Sequence, residues 1–329
     1  MSLPVIDIAP LFAGGEREQD RVARKLAAAC ESKGFFYVSG HTVPAETVER
    51  LTIEAQAFFA LPPAEKRAIA MADKGVAAWR GWFPLGGELT SGVPDDKEGL
   101  YFGEDLPVTD PRVRSQWPMH GANLWPEGRP GLRRAVEEYM AAAEHTAAAL
   151  VAALGRALGV SRDVLTDTYL ARPTKLFRIF HYPPTAHGGW GVGEHTDYGL
   201  LTLLTQDDAG GLEVRTPEGW ETAWPIAGAI VCNVGDMLER ITGGRFIAAP
   251  HRVFNASGRE RLSFPFFYDP DFTAPMRGLP GVASVRTARG ARWDAQDLRS
   301  FDGCYGDWLL AKVGRVFPDL TSPPSERRS

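Results

Sequence analysis

Gly193-Glu194-His195-Thr196-Asp197-Tyr198-Gly199, running straight into the apolar stretch Leu200–Leu204, is the segment from which this chain is best read. Side chains of an extended segment alternate, so His195 and Asp197 project to one side and an imidazole meets a carboxylate. The pair suits a metal; it equally suits a structural hydrogen bond in which the carboxylate orients the ring. A metal site needs a third ligand. His251 opens a second strand-like segment, His251–Phe254, and is the candidate. Two histidines and one carboxylate form a facial triad, which leaves three positions of an octahedral iron(II) open. Open positions are what dioxygen and two organic partners require.

Arg261 and Ser263 follow ten and twelve residues after His251. Extended spacing puts both on one face, with Phe267 further along it. A guanidinium fork beside a hydroxyl receives a carboxylate well. Tyr182, in Arg178-Ile179-Phe180-His181-Tyr182-Pro183-Pro184, offers a second hydroxyl. Taken alone, an arginine on a strand is more often a solvated or salt-bridged surface residue.

Around these residues, short strands are expected at Lys175–Tyr182, Leu200–Gln206, Gly211–Arg215, Ile230–Val234, His251–Phe254 and Arg261–Tyr268, a spacing that suggests a sandwich or jelly-roll. Upstream, Val5–Ile8 and Phe35–Val38 read as strands. Helices are expected over Glu16–Ser32, from Pro44 to Phe59, and from Leu132 to Leu158, with apolar residues three or four apart. Another is expected over Tyr305–Val316. The stretch from Asp73 to Pro130, dense in Gly, Pro and Trp, reads as an irregular lid or binding surface. Thr321–Ser329 reads as a frayed polar tail.

Bulk properties narrow the function classes. Of 329 residues, 44% are apolar and 23% charged, as in a globular protein. Lys plus Arg number 36 against 41 Asp plus Glu, a net charge of −5, so no broad basic footprint for nucleic acid or anionic lipid exists. Cys30, Cys232 and Cys304 are sparse and far apart, which argues against a disulfide framework and suits the cytoplasm. Neither a signal peptide nor a membrane span is visible. Gly188–Gly193 do not form a dinucleotide fingerprint, and no βαβ unit surrounds them. His41, His120 and His145 lack a ligand pattern, and His181 should face away from Tyr182.

With these residues in view, the chain resembles the isopenicillin N synthase-like branch of the iron(II)/2-oxoglutarate oxygenases. The H-x-D, distal His and R-x-S motifs match His195/Asp197, His251 and Arg261/Ser263. Pro4–Asp7, Gly34–Val38, Lys97-Glu98-Gly99, Asn233–Asp236 and His251-Arg252-Val253 match further segments, so the resemblance spans nearly the whole chain. It implies an α+β fold. A distorted double-stranded β-helix (jelly-roll) core would be flanked by N-terminal helices, a long central helix and a C-terminal helix. It also implies one catalytic unit over 1–329, with a helical and loop region over 1–130 and the core over 171–275.

The resemblance further implies Fe(II), 2-oxoglutarate and dioxygen as reactants, with Arg261, Ser263 and Tyr182 on the far carboxylate of 2-oxoglutarate. A small molecule would be hydroxylated or desaturated while succinate and carbon dioxide are released. One departure stands out: many members carry Asn where this chain has Phe180. Phe267, Arg80, Trp82, Tyr101, Phe102 and His187 are the expected substrate walls. Two rival readings remain. One is an oxidase of the same fold that needs no 2-oxoglutarate, with Arg261 and Ser263 on the substrate's own carboxylate. The other is a non-catalytic metal or small-molecule sensor.

Overall fold

In a computed structural model the described residues are 2–75, 78–90, 92–184, 189–285, 294, 298 and 300–317. His187 and the tail Thr321–Ser329 lie outside them. Among the described residues there are fourteen strands. They are β1 (Val5–Asp7), β2 (Phe35–Ser39), β3 (Gly81–Phe83), β4 (Leu89–Thr90), β5 (Val93–Pro94), β6 (Glu98–Gly103) and β7 (Pro173–Tyr182). After them come β8 (Gly189–His195), β9 (Leu201–Gln206), β10 (Leu212–Thr216), β11 (Gly219–Thr222), β12 (Ile230–Val234), β13 (His251–Asn255) and β14 (Arg261–Asp271).

Eight strands make a major sheet, ordered β1-β2-β12-β9-β14-β7-β6-β3, and four make a minor sheet, ordered β11-β10-β13-β8. This is the expected jelly-roll core in an α+β protein. The segment read as an irregular lid departs from expectation. It contributes β3 and β6, and β6 pairs with β7 along its length. Its Gly and Pro content masks short strands whose stability comes from pairing with distant β7.

The helices Glu16–Ser32 and Pro130–Ala157 cover one face of the major sheet. Glu16–Ser32 buries Val22, Leu26, Ala29 and Cys30 along one stripe. The long helix Pro130–Ala157 buries Leu132, Val136, Tyr139, Ala143, Ala147, Leu150 and Leu154 in the same way. It starts with proline in its first turn, where a missing N–H costs nothing. Its Tyr139 hydroxyl donates to Thr205 Oγ1 (2.9 Å) and the Phe264 carbonyl (3.1 Å), fixing helix to sheet.

Strand alternation then sorts the side chains. On β7, Phe177 packs toward this helix layer, 4.9 Å from the Tyr139 ring. Leu176, Arg178, Phe180 and Tyr182 take the opposite face, toward the minor sheet. On β14 the same face carries Arg261, Ser263, Pro265, Phe267 and Asp269. The space between the sheets is therefore lined by two facing rows, set in register by pairing of Arg261 with Tyr182 and Ser263 with Phe180.

Candidate active site

His195 ends β8 and His251 begins β13, and the two are direct cross-strand partners. Their ring centroids lie 4.2 Å apart. Asp197 sits past the end of β8, in the turn before β9, so the extended segment expected through it stops two residues short. The chain turns because the Asp197 carbonyl accepts the Asp236 N–H at 2.8 Å. The carboxylate still reaches both rings: Asp197 Oδ1 is 3.9 Å from His195 Nε2 and 3.9 Å from His251 Nε2. One ligand atom from each of the three lies within 4.8 Å of the others.

Second partners aim these atoms. His195 Nδ1 lies 2.8 Å from the Gly193 carbonyl and His251 Nδ1 lies 3.2 Å from that of Ala249. A carbonyl only accepts, so Nδ1 carries the proton in each ring and Nε2 keeps its lone pair. Asp197 Oδ2 accepts from Thr202 Oγ1 (2.5 Å) and Asn233 Nδ2 (2.6 Å), leaving Oδ1 toward the rings. Thr202 and Asn233 are themselves cross-strand partners on β9 and β12. Phe35, opposite Asn233 on β2, presses edge-on against His251 at 5.0 Å.

Burial and the adjacent His195 push the His251 pKa down to about 4, so the ring is neutral near pH 7. Burial alone would raise Asp197, but His251, His195 and the hydrogen bonds from Asn233 and Thr202 hold it below its ordinary value. Neutral imidazoles and an ionised carboxylate are the protonation states that metal ligation requires. The donor set fits a divalent iron.

A small cavity of about 60 Å³ joins this cluster to Tyr182, Arg261 and Ser263. Arg261 is fully buried at 0% exposure. Its Nε donates to the Gly210 carbonyl (2.6 Å) and its Nη2 to Gln206 Oε1 (3.2 Å), while Nη1 is buried with no hydrogen-bond partner among the described residues. The guanidinium stacks 4.6 Å from the Tyr182 ring, and the Tyr182 and Ser263 oxygens are 3.5 Å apart. A buried cation with an unused donor is costly until an anion meets it. Room for the tyrosine comes from Gly191, where a Cβ would fall 2.4 Å from Tyr182 Cδ1.

Phe180 lines both this cavity and a second one, about 70 Å³, which His195 and Asp197 also border. Phe180 itself is admitted by Gly99 opposite it on β6, whose Cβ would lie 2.9 Å from Phe180 Cδ1. The second cavity is lined by Glu88, Lys97, Arg178, Tyr198, Phe267 and Asp269, among others. Leu309 and Val316 from the helix Tyr305–Val316 close it, and Phe317 packs behind against Trp79, Phe83 and Tyr101.

The expected substrate walls are divided by the structure. Phe267 lines both cavities. Tyr101 stands directly behind the second, donating to Glu88 Oε1 at 2.6 Å. Trp82 and Phe102 are corrections: they point to the other face of their strands. There Trp82 Nε1 donates to Glu98 at 2.9 Å and Phe102 stacks on Trp125 at 4.9 Å. Alternation along β6 turns Phe102 outward as it turns Tyr101 inward. Arg80 is also corrected, being buried against the Ala78, Trp79 and Met119 carbonyls and not lining the cavity. His181 faces outward as expected, between Glu98 (2.9 Å) and Glu260 (2.8 Å).

Arg178, Lys97 and Glu88 were not singled out from the sequence. Arg178 was accessible to the same alternation that selected Tyr182, being four residues earlier on one strand. Glu88 was not, because its position depends on how a short loop folds back.

A jelly-roll holding two histidines and a carboxylate, with a buried arginine in the adjoining cavity, points to the class of non-haem iron oxygenases. Residues 3–128 match the family described as non-haem dioxygenase in morphine synthesis N-terminal, and residues 173–270 match the 2OG-Fe(II) oxygenase superfamily. A Dictyostelium discoideum protein named an iron/ascorbate oxidoreductase is 40% identical, covering 97% of this chain and 95% of that protein. A 1-aminocyclopropane-1-carboxylate oxidase from the same organism is 33% identical over 96% of this chain and 95% of its own. Among solved structures, a 2OG-Fe(II) oxygenase family protein from Caulobacter crescentus superposes with a TM-score of 0.78 at 26% identity, covering 95% of this chain and 98% of that one.

The chain therefore belongs to the 2OG-Fe(II) oxygenase superfamily. It is a non-haem iron(II)- and 2-oxoglutarate-dependent dioxygenase. No helix among the described residues is long and apolar enough to cross a membrane.

Proposed function

We propose that His195, Asp197 and His251 hold the iron and that Arg261, with Ser263 and Tyr182, receives the distal carboxylate of 2-oxoglutarate. A small molecule in the neighbouring cavity is then hydroxylated or desaturated. The observation that carries this reading is the fully buried Arg261, whose Nη1 has no partner in the cavity that also holds the three ligand side chains. Bound iron would supply the activation of dioxygen, coupled to conversion of 2-oxoglutarate to succinate and carbon dioxide.

The chain's own residues position and shield. Thr202 and Asn233 keep Asp197 Oδ1 directed at the rings. Tyr182 braces the guanidinium of Arg261. Phe180, Val192 and Phe267, shared by both cavities, keep water from the reacting centre. A cytoplasmic setting is supported by three cysteines that are all free.

A second reading, an oxidase that needs no 2-oxoglutarate, draws on one relative's name, 1-aminocyclopropane-1-carboxylate oxidase. In that case Arg261 would take the substrate's own carboxylate. The test is anaerobic titration of iron(II) protein with 2-oxoglutarate, followed through the iron charge-transfer band, then succinate measurement after oxygen is admitted. A saturable band and succinate release support the reading. Oxygen uptake without either supports the oxidase.

A further inference from the structure

The second cavity contains a buried guanidinium that the co-substrate does not use. Arg178 is 8% exposed and lies on the cavity face of β7 with Phe180 and Tyr182. Three aromatic rings surround it, Tyr101 at 4.2 Å, Trp79 at 4.5 Å and Phe267 at 4.7 Å from the guanidinium carbon. Tyr101 is its direct cross-strand partner on β6. Among the described residues Arg178 forms no hydrogen bond and no ion pair.

The acids of the same cavity are committed elsewhere. Glu88 takes the Tyr101 hydroxyl at 2.6 Å and stands 2.7 Å from Lys97 Nζ, which also pairs with Asp95. Asp269 accepts from the Tyr305 hydroxyl at 2.6 Å and the Leu200 N–H at 3.2 Å. Burial pushes its pKa up to about 7, so it is a poor counter-ion near neutrality.

A guanidinium whose faces are covered by rings presents only its N–H edge. That planar fork matches a carboxylate, two donors to two oxygens. Glu88 and Asp269 feel its charge without touching it, so its N–H edge lacks a hydrogen-bonded acceptor among the described residues, and a ligand that brings one is favoured. The walls beside it, Leu176, Phe180, Val192, Phe267 and Leu309, are apolar.

We propose that Arg178 selects the substrate: the oxidised molecule carries a carboxylate, held by the Arg178 fork, and presents an apolar body across the metal cluster. This rests on the reading of the site given above and adds the substrate class. The two buried arginines then divide the work, Arg261 taking the co-substrate's carboxylate and Arg178 the substrate's, with Phe180 between them.

The test uses the full chain loaded with manganese(II) and saturated with 2-oxoglutarate, so that binding is read without turnover. The probes are phenylacetate, indole-3-acetate, benzoate and L-phenylalanine, each beside its primary amide, with affinity measured by calorimetry and thermal shift. At least one acid is expected to bind the wild type about 10-fold or more tighter than its amide, the scale of one charge-assisted hydrogen bond. Arg178→Met keeps the stem's bulk and is expected to weaken the acid by about 10- to 150-fold while changing the amide little. If Arg178→Met does not fold, the acid-to-amide comparison on wild type decides alone.

Failure of every acid to bind, equal binding of acid and amide, or an Arg178→Met variant that binds the acid like wild type would overturn the proposal. The underlying reading is checked separately by the stabilisation that 2-oxoglutarate itself gives the manganese form of the wild type. If that is absent, the assignment of the site fails first. If it is present and no acid follows, only the substrate class fails.

Discussion

Replacing Arg261 by methionine separates its structural cost from its binding value. Methionine preserves most of the stem's packing and removes the guanidinium. Two carbonyl oxygens lose a donor, Gly210 O and Gln206 Oε1, at about 1–3 kcal/mol each if left unsatisfied. Against this, a fully buried cation with no ion pair among the described residues disappears, and such a charge costs several kcal/mol to bury. The two effects oppose at similar size, so without 2-oxoglutarate the variant should melt within a few degrees of wild type.

With 2-oxoglutarate the two must diverge. Ligand at 100 times its Kd stabilises wild type by about 2.7 kcal/mol. At roughly 2 °C per kcal/mol for a chain of this size, that is about 5 °C. Loss of the Nη1 contact removes about 1.5–3 kcal/mol of binding, so the same concentration would give the variant about 1 kcal/mol or less. The assay is a thermal melt of the manganese form across a 2-oxoglutarate series. Equal ligand-induced shifts in wild type and Arg261→Met would refute the role given to Arg261. A collapse of the ligand-free melting point would refute the balance of burial costs.

Three other outcomes are expected. Asp197→Ala leaves His195 and His251 as the ligands, so iron content after metal-limited reconstitution should fall sharply while the far-ultraviolet circular dichroism spectrum is retained; wild-type iron loading would reject the triad. Tyr182→Phe should weaken 2-oxoglutarate about tenfold or more, and by less in a Phe180→Asn background if the new amide supplies a donor; a double-mutant cycle reads the coupling, and unchanged affinity in the single variant removes the hydroxyl from the site. In the metal-free protein, His251 titrates near pH 4 when folded against about 6.5 unfolded, so the unfolded chain binds the extra proton between them. Stability should therefore fall as pH drops from about 6.5 to 4, by on the order of 2–3 kcal/mol, and denaturant melts of His251→Gln should show a shallower slope over that window.

Much of the site was legible in linear order because its residues lie on strands. The spacing of Arg261, Ser263 and Phe267, and of Phe180 and Tyr182, specifies a shared face whatever the strands pair with. The helices Glu16–Ser32 and Tyr305–Val316 were equally readable, since each carries its apolar stripe within itself. Trp82, Phe102 and Arg80 were misplaced for the complementary reason. Aromatic or charged character says that a side chain will be buried or paired, and only the register of β3 and β6 against β7 says on which face.

The sequence alone offered the donors, two imidazoles, a carboxylate, a guanidinium and two hydroxyls, and strand periodicity turned all but Asp197 inward. Tertiary structure decided their convergence. His195 meets His251 only because β8 pairs with β13, and Asp197 Oδ1 is directed at both rings only because Thr202 and Asn233, paired across β9 and β12, occupy its other oxygen. Arg178 became a candidate for substrate recognition only when Trp79 and Tyr101, from a segment without regular sequence pattern, closed around it. Local periodicity follows from backbone geometry that each residue carries, whereas pairing and desolvation belong to contacts between distant segments and exist only once the chain has folded.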